Sequence, residues 1–343
     1  MSASVHSRRI HGGTDSAGTP RFDFSTNSNA CGPCPQALLA VQQADATCYP
    51  DARYARLREA LAAFHGVDSA RIVLAGSASE FIFRITAVVA QRGYHQGCAP
   101  ATVNFPSHSF GDYAQAAQAW GLSTHASPGS ADLVWACEPS SPLGQPHATW
   151  PESLTQHEPN ELNRPESVLV LDRAYEPLRL EGRPSLNAAQ LSQVWQLWTP
   201  NKALGLTGIR AAYAIAPGKD GDIVDALESM APSWPVGAHG AALLHAWVQP
   251  EVQQWLAKSL LTLKAWSLDQ VTLLQALGWT CLPSEANFFC AQPARAVGVN
   301  LLRHAGIKLR DTTSFGLPGY FRLSVQGPQA QAALKACLLG TVD

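Results

Sequence analysis

One lysine of this chain lies in a setting that suits covalent chemistry. Lys202 belongs to the stretch "WTPNKALGLTGIR", residues 198–210, where Thr199 precedes it and Arg210 follows it among small and apolar residues. A lysine held in an apolar, partly cationic pocket becomes a nucleophile that forms a Schiff base with a carbonyl carbon. The ordinary alternative is a lysine on a surface loop, where most lysines lie. The neighbouring motifs must decide between the two.

Two further segments end strand-like runs with residues that can bind a ligand. "VLVLDRAY" leaves Asp172 at the end of an apolar run, with Tyr175 three residues later. A buried carboxylate there needs a partner, although a helix N-cap is an equally good interpretation. "LAGSASE" leads into a helical pattern through Ser77, Ala78 and Ser79, whose small side chains let backbone N–H groups approach a phosphate. A plain strand-to-helix turn is the alternative.

An anion cradle, an acid at a strand end and a pocket lysine are more specific together than separately. Pyridoxal 5′-phosphate needs N–H donors and a cation for its phosphate, a carboxylate for its ring nitrogen and an amine for its aldehyde. Arg210 is a candidate for the cation that shares the phosphate with the Ser77–Ser79 turn. We therefore expect this cofactor.

The elements that must position these residues alternate between helix and strand. Helical spacing of apolar residues predicts helices over 35–44, 54–66 and 79–93. Apolar runs predict strands over 71–76, 101–106, 131–139, 166–175 and 208–217. Such alternation indicates a mainly parallel sheet covered on both faces, with ligands beyond the carboxyl ends of its strands. After about residue 236, long helical segments over 240–278, short strands over 286–292, 306–311 and 320–325 and a closing helix predict a smaller α+β domain.

Composition excludes several function classes. The 343 residues are 46% hydrophobic and 15% charged, which is typical of a soluble globular protein with two lobes. A net charge of -2 gives no electrostatic reason to bind nucleic acid or a membrane surface, and no apolar run is long enough to span a bilayer. The eleven histidines lack metal-ligand spacing, which indicates no metal site. The N-terminus lacks a secretory signal and the eight cysteines are scattered, so we expect a cytoplasmic protein with reduced thiols.

The tetrapeptide Cys31-Gly32-Pro33-Cys34 has the spacing of a thioredoxin-like redox site. Such a site needs a strand before it and a helix after it within a compact βαβ unit. A helical pattern follows Cys34, but the preceding chain is too short and polar for the rest of that unit. We therefore interpret both cysteines as bystanders.

In this order the motifs resemble those of the fold-type I pyridoxal-phosphate enzymes, the aspartate aminotransferase superfamily, over nearly the whole chain. The chain is most similar to the branch of histidinol-phosphate aminotransferase and threonine-phosphate decarboxylase. "HGG" at 11–13 and "FDFSTNSNACGP" at 22–33 are similar to the opening of the decarboxylases. The resemblance implies an α/β fold, with a large domain on a mainly parallel seven-stranded sheet sandwiched by helices and a small α+β C-terminal domain. It implies an N-terminal arm over 1–35, a cofactor-binding domain over 36–235 and the small domain over 236–343.

The family motifs imply roles for the residues around the cofactor. Lys202 would bind the aldehyde, Asp172 the ring nitrogen and Tyr175 the ring hydroxyl, which makes these the catalytic residues. Tyr49 of "CYPD" would reach the cofactor phosphate of a neighbouring subunit, which implies a homodimer with shared active sites. The other implied cofactor-binding residues are Ser77, Ala78, Ser79, Phe110 of "SFGDY", Ser141, Thr199 and Arg210.

Two of these positions depart from the family pattern. Ser141 in "EPSSPLG" stands where an asparagine usually donates to the ring hydroxyl. Serine also donates one hydrogen bond but is shorter. Ser77 replaces a frequent glycine of the phosphate cradle. Both changes bear on the electronic tuning of the ring, and neither removes the lysine, the acid or the arginines.

The resemblance also implies how an amino-acid substrate is held. Arg322 in "GYFRLSV" would clamp the substrate carboxylate with a bidentate arginine contact. Arg310, twelve residues earlier, is a candidate second anchor for a phosphorylated substrate. His11 and the backbone amide of Gly12 would contact the substrate phosphate, and the segment containing Asn29 would line the site.

These motifs lead us to expect the decarboxylation of L-threonine O-3-phosphate to aminopropanol phosphate, a step of cobalamin biosynthesis. The alternative is an aminotransferase, such as one acting on histidinol phosphate. A second alternative is a cofactor-binding homologue without turnover. The two reactions differ in whether the Cα–COO⁻ or the Cα–H bond is held perpendicular to the cofactor ring, and residue spacing does not decide between them.

Overall fold

The structure, a computed structural model, describes residues 11–95, 100–155 and 167–340. Its strands are β1 (Phe22–Asp23), β2 (Ile72–Ala75), β3 (Thr102–Asn104), β4 (Ser123–Thr124), β5 (Leu133–Cys137), β6 (Val168–Asp172), β7 (Trp195–Trp198), β8 (Ala212–Ile215), β9 (Thr280–Cys281), β10 (Phe288–Gln292), β11 (Ile307–Lys308), β12 (Arg310–Asp311) and β13 (Phe321–Ser324). Its helices are α1 (Pro35–Gln42), α2 (Ala55–His65), α3 (Ala78–His95), α4 (Gly111–Ala119), α5 (Glu152–Thr155), α6 (Ala188–Leu191), α7 (Gly221–Met230), α8 (Ala238–Trp247), α9 (Pro250–Ala276), α10 (Val299–His304) and α11 (Pro328–Gly340).

The large sheet has seven strands within the described residues, in the order β2-β8-β7-β6-β5-β3-β4. All neighbours are parallel except β8, which runs antiparallel to both β2 and β7. The strands β2, β5, β7 and β8 are buried along their whole length, which explains their nearly continuous apolar sequences. The α/β fold with a mainly parallel seven-stranded sheet is therefore confirmed.

Helices cover both faces of this sheet. In β2, the side chains of Ile72 and Leu74 pack into one apolar core, whereas those of Val73 and Ala75 pack into a second core on the opposite face. The first core includes residues of α1, α2 and α8, and the second includes residues of α3, α4 and α7. The period of two along the strand thus divides a buried run between two helical layers.

The C-terminal part of the chain forms a smaller α+β unit. An antiparallel sheet in the order β12-β13-β10-β9 accompanies α9 and α11. The helical segments predicted over 240–278 are α8 and α9, which are separate because Pro250 begins α9 and lacks the backbone N–H that would continue α8. The predicted strand over 306–311 is also two strands: β11 pairs with β1 of the N-terminal segment, and β12 pairs with β13.

The domain boundaries at residues 35/36 and 235/236 stay predictions, and residues 1–10 of the predicted arm lie outside the described residues. Residues 22–23 of that arm pair with β11 and thereby attach it to the C-terminal unit. Across the described ranges, none of the helices has the length and apolar character needed to cross a membrane.

Candidate active site

A cavity of about 1420 Å³ lies beyond the carboxyl end of β6, between the large sheet and the β12–β13 pair. Most of the predicted site residues line it, which brings segments from the whole chain together. The predicted residues that line it are His11, Gly12, Ser77, Ala78, Ser79, Phe110, Ser141, Asp172, Tyr175, Thr199, Lys202, Arg210, Arg310 and Arg322. Asn29 and Tyr49 are not among the lining residues.

The loop that carries Lys202 follows β7 and packs against the N-terminal segment around Asn29 and Gly32. The carbonyl oxygen of Lys202 accepts a hydrogen bond from the backbone N–H of Asn29 at 2.9 Å. Gly205 has φ +68°, and a Cβ there would lie 2.6 Å from the carbonyl oxygen of Gly32. Only glycine allows this close approach. The turn at Gly32 therefore supports the lysine loop.

The side chain of Lys202 points to an aromatic and polar part of the cavity. Its Nζ lies 5.3 Å from the centroid of the Tyr175 ring. Nearby in sequence, Thr199 Oγ1 and Asn201 Oδ1 are buried and lack hydrogen-bond partners in the described parts of the chain. Both residues line the cavity. Buried polar atoms without partners are costly, so these two indicate a ligand with polar groups.

Asp172 ends β6 and is 4% exposed. Its Oδ1 accepts a hydrogen bond from the backbone N–H of Ala174 at 2.9 Å, and its Oδ2 accepts one from the Tyr113 hydroxyl at 2.7 Å. Burial raises the pKa of Asp172, while the Tyr113 hydroxyl and the charge of Lys202 oppose that rise. Phe110 of "SFGDY" was predicted as a site residue, whereas Tyr113, three residues later in the same motif, was not.

The predicted phosphate cradle lies at the N-terminus of α3. The helix begins at Ala78, and Ser77 Oγ accepts a hydrogen bond from the backbone N–H of Glu80 at 3.1 Å. The serine that replaces the frequent glycine thus acts as an N-cap. Arg210, which is exposed, lines the same cavity. An 18-residue helix that begins at a cavity also supplies free backbone N–H groups for an anion.

The predicted anion anchors Arg310 and Arg322 are cross-strand partners in the β12–β13 pair. They are 5% and 7% exposed, respectively. The ring of Phe315 lies 4.8 Å from Arg310 Cζ and 5.5 Å from Arg322 Cζ. Burial and the charge of Arg322 lower the pKa of Arg310 to about 10. Two buried cations on one wall of a cavity favour a ligand with negative charge.

Ser141 is in hydrogen-bond contact with Arg322. Arg322 Nη1 donates to Ser141 Oγ at 3.2 Å, and Arg322 Nη2 donates to the carbonyl oxygen of Ser25 at 3.2 Å. Arg322 Nε is buried and has no partner among the described residues. The shorter side chain at this position therefore still orients the arginine, and its hydroxyl proton stays available to the cavity.

The "HGG" segment lies against Ser25, two residues after β1 ends. A Cβ on Gly12 would lie 2.2 Å from the carbonyl oxygen of Ser25, so only glycine fits. The backbone N–H of Gly13 donates to Ser25 Oγ at 2.9 Å, and Lys308 Nζ donates to the carbonyl oxygen of Gly13 at 2.6 Å. These contacts place His11 at the rim of the cavity.

The position of Asn29 does not match its predicted role in substrate binding. Its Nδ2 donates to the carbonyl oxygen of Ala203 and to Ser259 Oγ, and its Oδ1 accepts from the Cys31 N–H. Every polar atom of this amide is thus engaged within the protein. Asn27, two residues earlier, is 2% exposed, lines the cavity and has no partner for Nδ2 or Oδ1 in the described ranges. The "NSN" pattern contains both asparagines, and the one that faces the cavity is Asn27 rather than the predicted Asn29.

Tyr49 lies outside the cavity of its own chain and is 77% exposed. Its ring stacks on Trp234 at 4.2 Å, and the Trp234 indole N–H donates to the carbonyl oxygen of Pro50 at 3.1 Å. A role for Tyr49 in a neighbouring subunit stays a prediction.

Cys31 and Cys34 do not have the environment of a redox pair. Burial raises the pKa of both thiols. Cys34 is fully buried, and the Cys31 thiol donates to the carbonyl oxygen of Ser259. Reactive cysteines need a lowered pKa, so this environment supports their interpretation as bystanders.

Comparison with known proteins links this geometry to one family. The family model described as aminotransferase class I and II matches residues 121–336. Histidinol-phosphate aminotransferase 1 of Thiobacillus denitrificans is 28% identical over 330 residues, which cover 88% of this chain and 80% of that protein.

Two solved structures have the same fold. The histidinol-phosphate aminotransferase of Clostridium acetobutylicum superposes with a TM-score of 0.76 at 18% identity, covering 93% of this chain and 98% of that chain. The L-threonine-O-3-phosphate decarboxylase of Porphyromonas gingivalis superposes with a TM-score of 0.72 at 19% identity and the same coverage. At these identities the likeness extends to the fold alone.

Proposed function

Because the chain belongs to the class I and II aminotransferase family, whose members use pyridoxal 5′-phosphate, we propose that it transfers the amino group of a phosphorylated amino compound. When bound, the cofactor supplies an electron sink for the bond broken at the substrate carbon. The protein must then hold the cofactor, orient the substrate and move a proton.

The donor set of the cavity fits this cofactor. The N-terminus of α3 with Ser77–Ser79, together with Arg210 and the free hydroxyl of Thr199, would hold its phosphate. Asp172 would hold the ring nitrogen, and Phe110 would stack on the ring. Lys202 would bind the aldehyde and afterwards move the proton at the substrate carbon. The roles of Tyr175 and Ser141 at the ring hydroxyl remain part of this proposal.

The pairing of Arg310 with Arg322 is the single observation that supports a phosphorylated substrate best. Two guanidinium groups in directly opposed strand positions repel each other, and an anion bound beside them reduces this repulsion. An aminotransferase places two kinds of anion here in turn: the phosphate of one substrate and the two carboxylates of a dicarboxylic amino-group acceptor. The names of the similar curated proteins favour histidinol phosphate as that first substrate.

Decarboxylation of L-threonine O-3-phosphate is the second candidate. This substrate has a carboxylate and a phosphate on one molecule, whereas histidinol phosphate has no carboxylate. Arg322, which contacts Ser141, would bind the carboxylate. The segment of His11 and Gly12 beside the cavity would bind the phosphate. Both reactions use the same lysine and the same acid.

Product analysis of the cofactor-loaded protein separates these reactions. With histidinol phosphate and 2-oxoglutarate, we expect glutamate to form. Carbon dioxide from L-threonine O-3-phosphate without an oxo acid would instead favour the second candidate. If the protein binds the cofactor but turns over neither substrate, both candidate reactions are contradicted. The remaining alternative is then a cofactor-binding homologue without turnover.

The nucleophile has its own control. Borohydride reduction of the loaded protein should attach the cofactor covalently to Lys202, which peptide mapping locates. The Lys202→Ala variant should form no such adduct. An adduct that persists in this variant would contradict the assignment of Lys202.

A further inference from the structure

Tyr113 contacts Asp172, the carboxylate that the proposed cofactor site assigns to the ring nitrogen. It belongs to the first turn of α4, three residues after Phe110, and is fully buried. Its hydroxyl donates to Asp172 Oδ2 at 2.7 Å. It does not line the cavity, so it acts on a ligand only through Asp172.

The ring of Tyr113 is held from two sides. It stacks on Trp135 of β5 with centroids 4.6 Å apart and planes 10° apart. Phe110 packs edge-on against it with centroids 6.0 Å apart. The hydroxyl is thus pre-oriented toward Asp172. Phe110, which is predicted to stack on the cofactor, is the residue before α4 and so lies one helical turn from Tyr113.

We propose that Tyr113 is the positioning residue of Asp172, which it keeps oriented and ionised so that the acid can bind a protonated ring nitrogen. This inference rests on the proposed cofactor site. A hydrogen bond donated to a carboxylate stabilises its charged form, and the charged form is the one that holds a protonated pyridine.

The other groups around Asp172 do not replace this hydroxyl. Cys137, the cross-strand partner of Asp172, is fully buried, and burial raises its pKa, so it stays a neutral thiol. Lys202 favours the charged carboxylate from the cavity side, but its amine is the group assigned to the cofactor aldehyde. The backbone N–H of Ala174 reaches only Oδ1. Among the described residues, Oδ2 accepts a side-chain hydrogen bond from Tyr113 alone.

The test is Tyr113→Phe, which removes the hydroxyl and keeps the stacked ring. Without this donor, Asp172 becomes more basic and competes for the proton of the ring nitrogen. We expect a cofactor dissociation constant roughly 10-fold higher, because the loss of a hydrogen bond to a charged group changes a dissociation constant by about that factor. The pH midpoint of the absorbance change of the bound cofactor should rise by about one unit.

Tyr213→Phe is the matched control, because Tyr213 is equally buried and its hydroxyl contacts His65 and Trp247 instead of the site. This variant should leave both readouts unchanged. In an Asp172→Asn background, Tyr113→Phe should add less than about a twofold change, since the charge it supports is gone. If Tyr113→Phe leaves the dissociation constant and the midpoint of a cofactor-binding protein unchanged, the inference is wrong. If the unaltered protein binds no pyridoxal phosphate, the proposed function itself fails.

Discussion

Arg310 and Arg322 occupy directly opposed positions of the antiparallel strands β12 and β13. Residues in such positions point to the same face of a sheet, so both guanidinium groups lie on one wall of the cavity. The charge of one lowers the pKa of the other, and both are more than nine-tenths buried. An anion that binds between them therefore relieves a repulsion as well as making hydrogen bonds.

This pair predicts that anions stabilise the protein before any chemistry occurs. Inorganic phosphate should raise the melting temperature of the cofactor-loaded protein, whose phosphate site at α3 is already filled, in proportion to the logarithm of its concentration above its dissociation constant. The Arg310→Gln variant should lose this response, and its kcat/KM for a phosphorylated substrate should fall about 100-fold. Differential scanning fluorimetry and steady-state kinetics check both effects. Arg183→Gln, at an exposed arginine, is the control and should behave like the unaltered protein.

Much of the fold was predictable because its strands are short, apolar and separated by helical periods. The strand β7 was missed, since Gln196 interrupts "WQLW"; its amide is satisfied by Arg173 and by the carbonyl oxygen of Leu191. Both contacts come from tertiary structure, which the local pattern does not contain. The motif after β7, including Lys202, was found without the strand that positions it.

The site was predictable where a single motif holds the chemistry and unpredictable where packing decides. Asp172 was identified from a strand end, and Lys202 from the small, apolar and cationic residues of its own motif. Tyr113 was not, because it lies 59 residues from Asp172 in sequence and only the packing of α4 on β5 brings them together. The choice between Asn27 and Asn29 depends on which amide finds partners within the protein, and α9 supplies one of those for Asn29.

The docking of the N-terminal segment predicts a sharp effect for Gly12→Ala. The added Cβ meets the carbonyl oxygen of Ser25, so the segment must move and His11 leaves the cavity rim. We expect KM for the phosphorylated substrate to rise about 10-fold, as for the loss of one hydrogen bond to a charged group, with cofactor binding unchanged. Gly129→Ala, where an added Cβ lies 3.9 Å from its nearest neighbour, should have no effect. Equal kinetics for both variants would show that the segment does not contribute to substrate binding.

Tyr49 predicts a dependence of cofactor retention on oligomeric state. Its ring is exposed and held by Trp234, so its hydroxyl can reach the cofactor phosphate only in a second copy of the chain. Light scattering should find a dimer, and Tyr49→Phe should remain dimeric while its cofactor dissociation constant rises about 10-fold. A monomer with full cofactor affinity would contradict the shared site.

His65 predicts a loss of stability in mild acid that is independent of the active site. The Trp247 indole N–H can only donate, and it donates to the Tyr213 hydroxyl oxygen at 3.0 Å. The Tyr213 proton is then free to point to His65 Nε2, 2.8 Å away, which requires a neutral imidazole. Burial and the charge of Arg173 lower the pKa of His65 to about 4.

As the pH falls, His65 therefore becomes protonated near pH 6.5 in the unfolded chain but only near pH 4 in the folded chain. The contribution to stability is complete above the unfolded pKa and is lost as the pH falls through this window, at a total of about 3 kcal/mol. Urea unfolding at pH 7.5, 6 and 5 measures the loss. His65→Gln cannot bind this proton, so its unfolding free energy should fall less over the same range. Parallel pH profiles for the two proteins would mean that other groups cause the acid sensitivity.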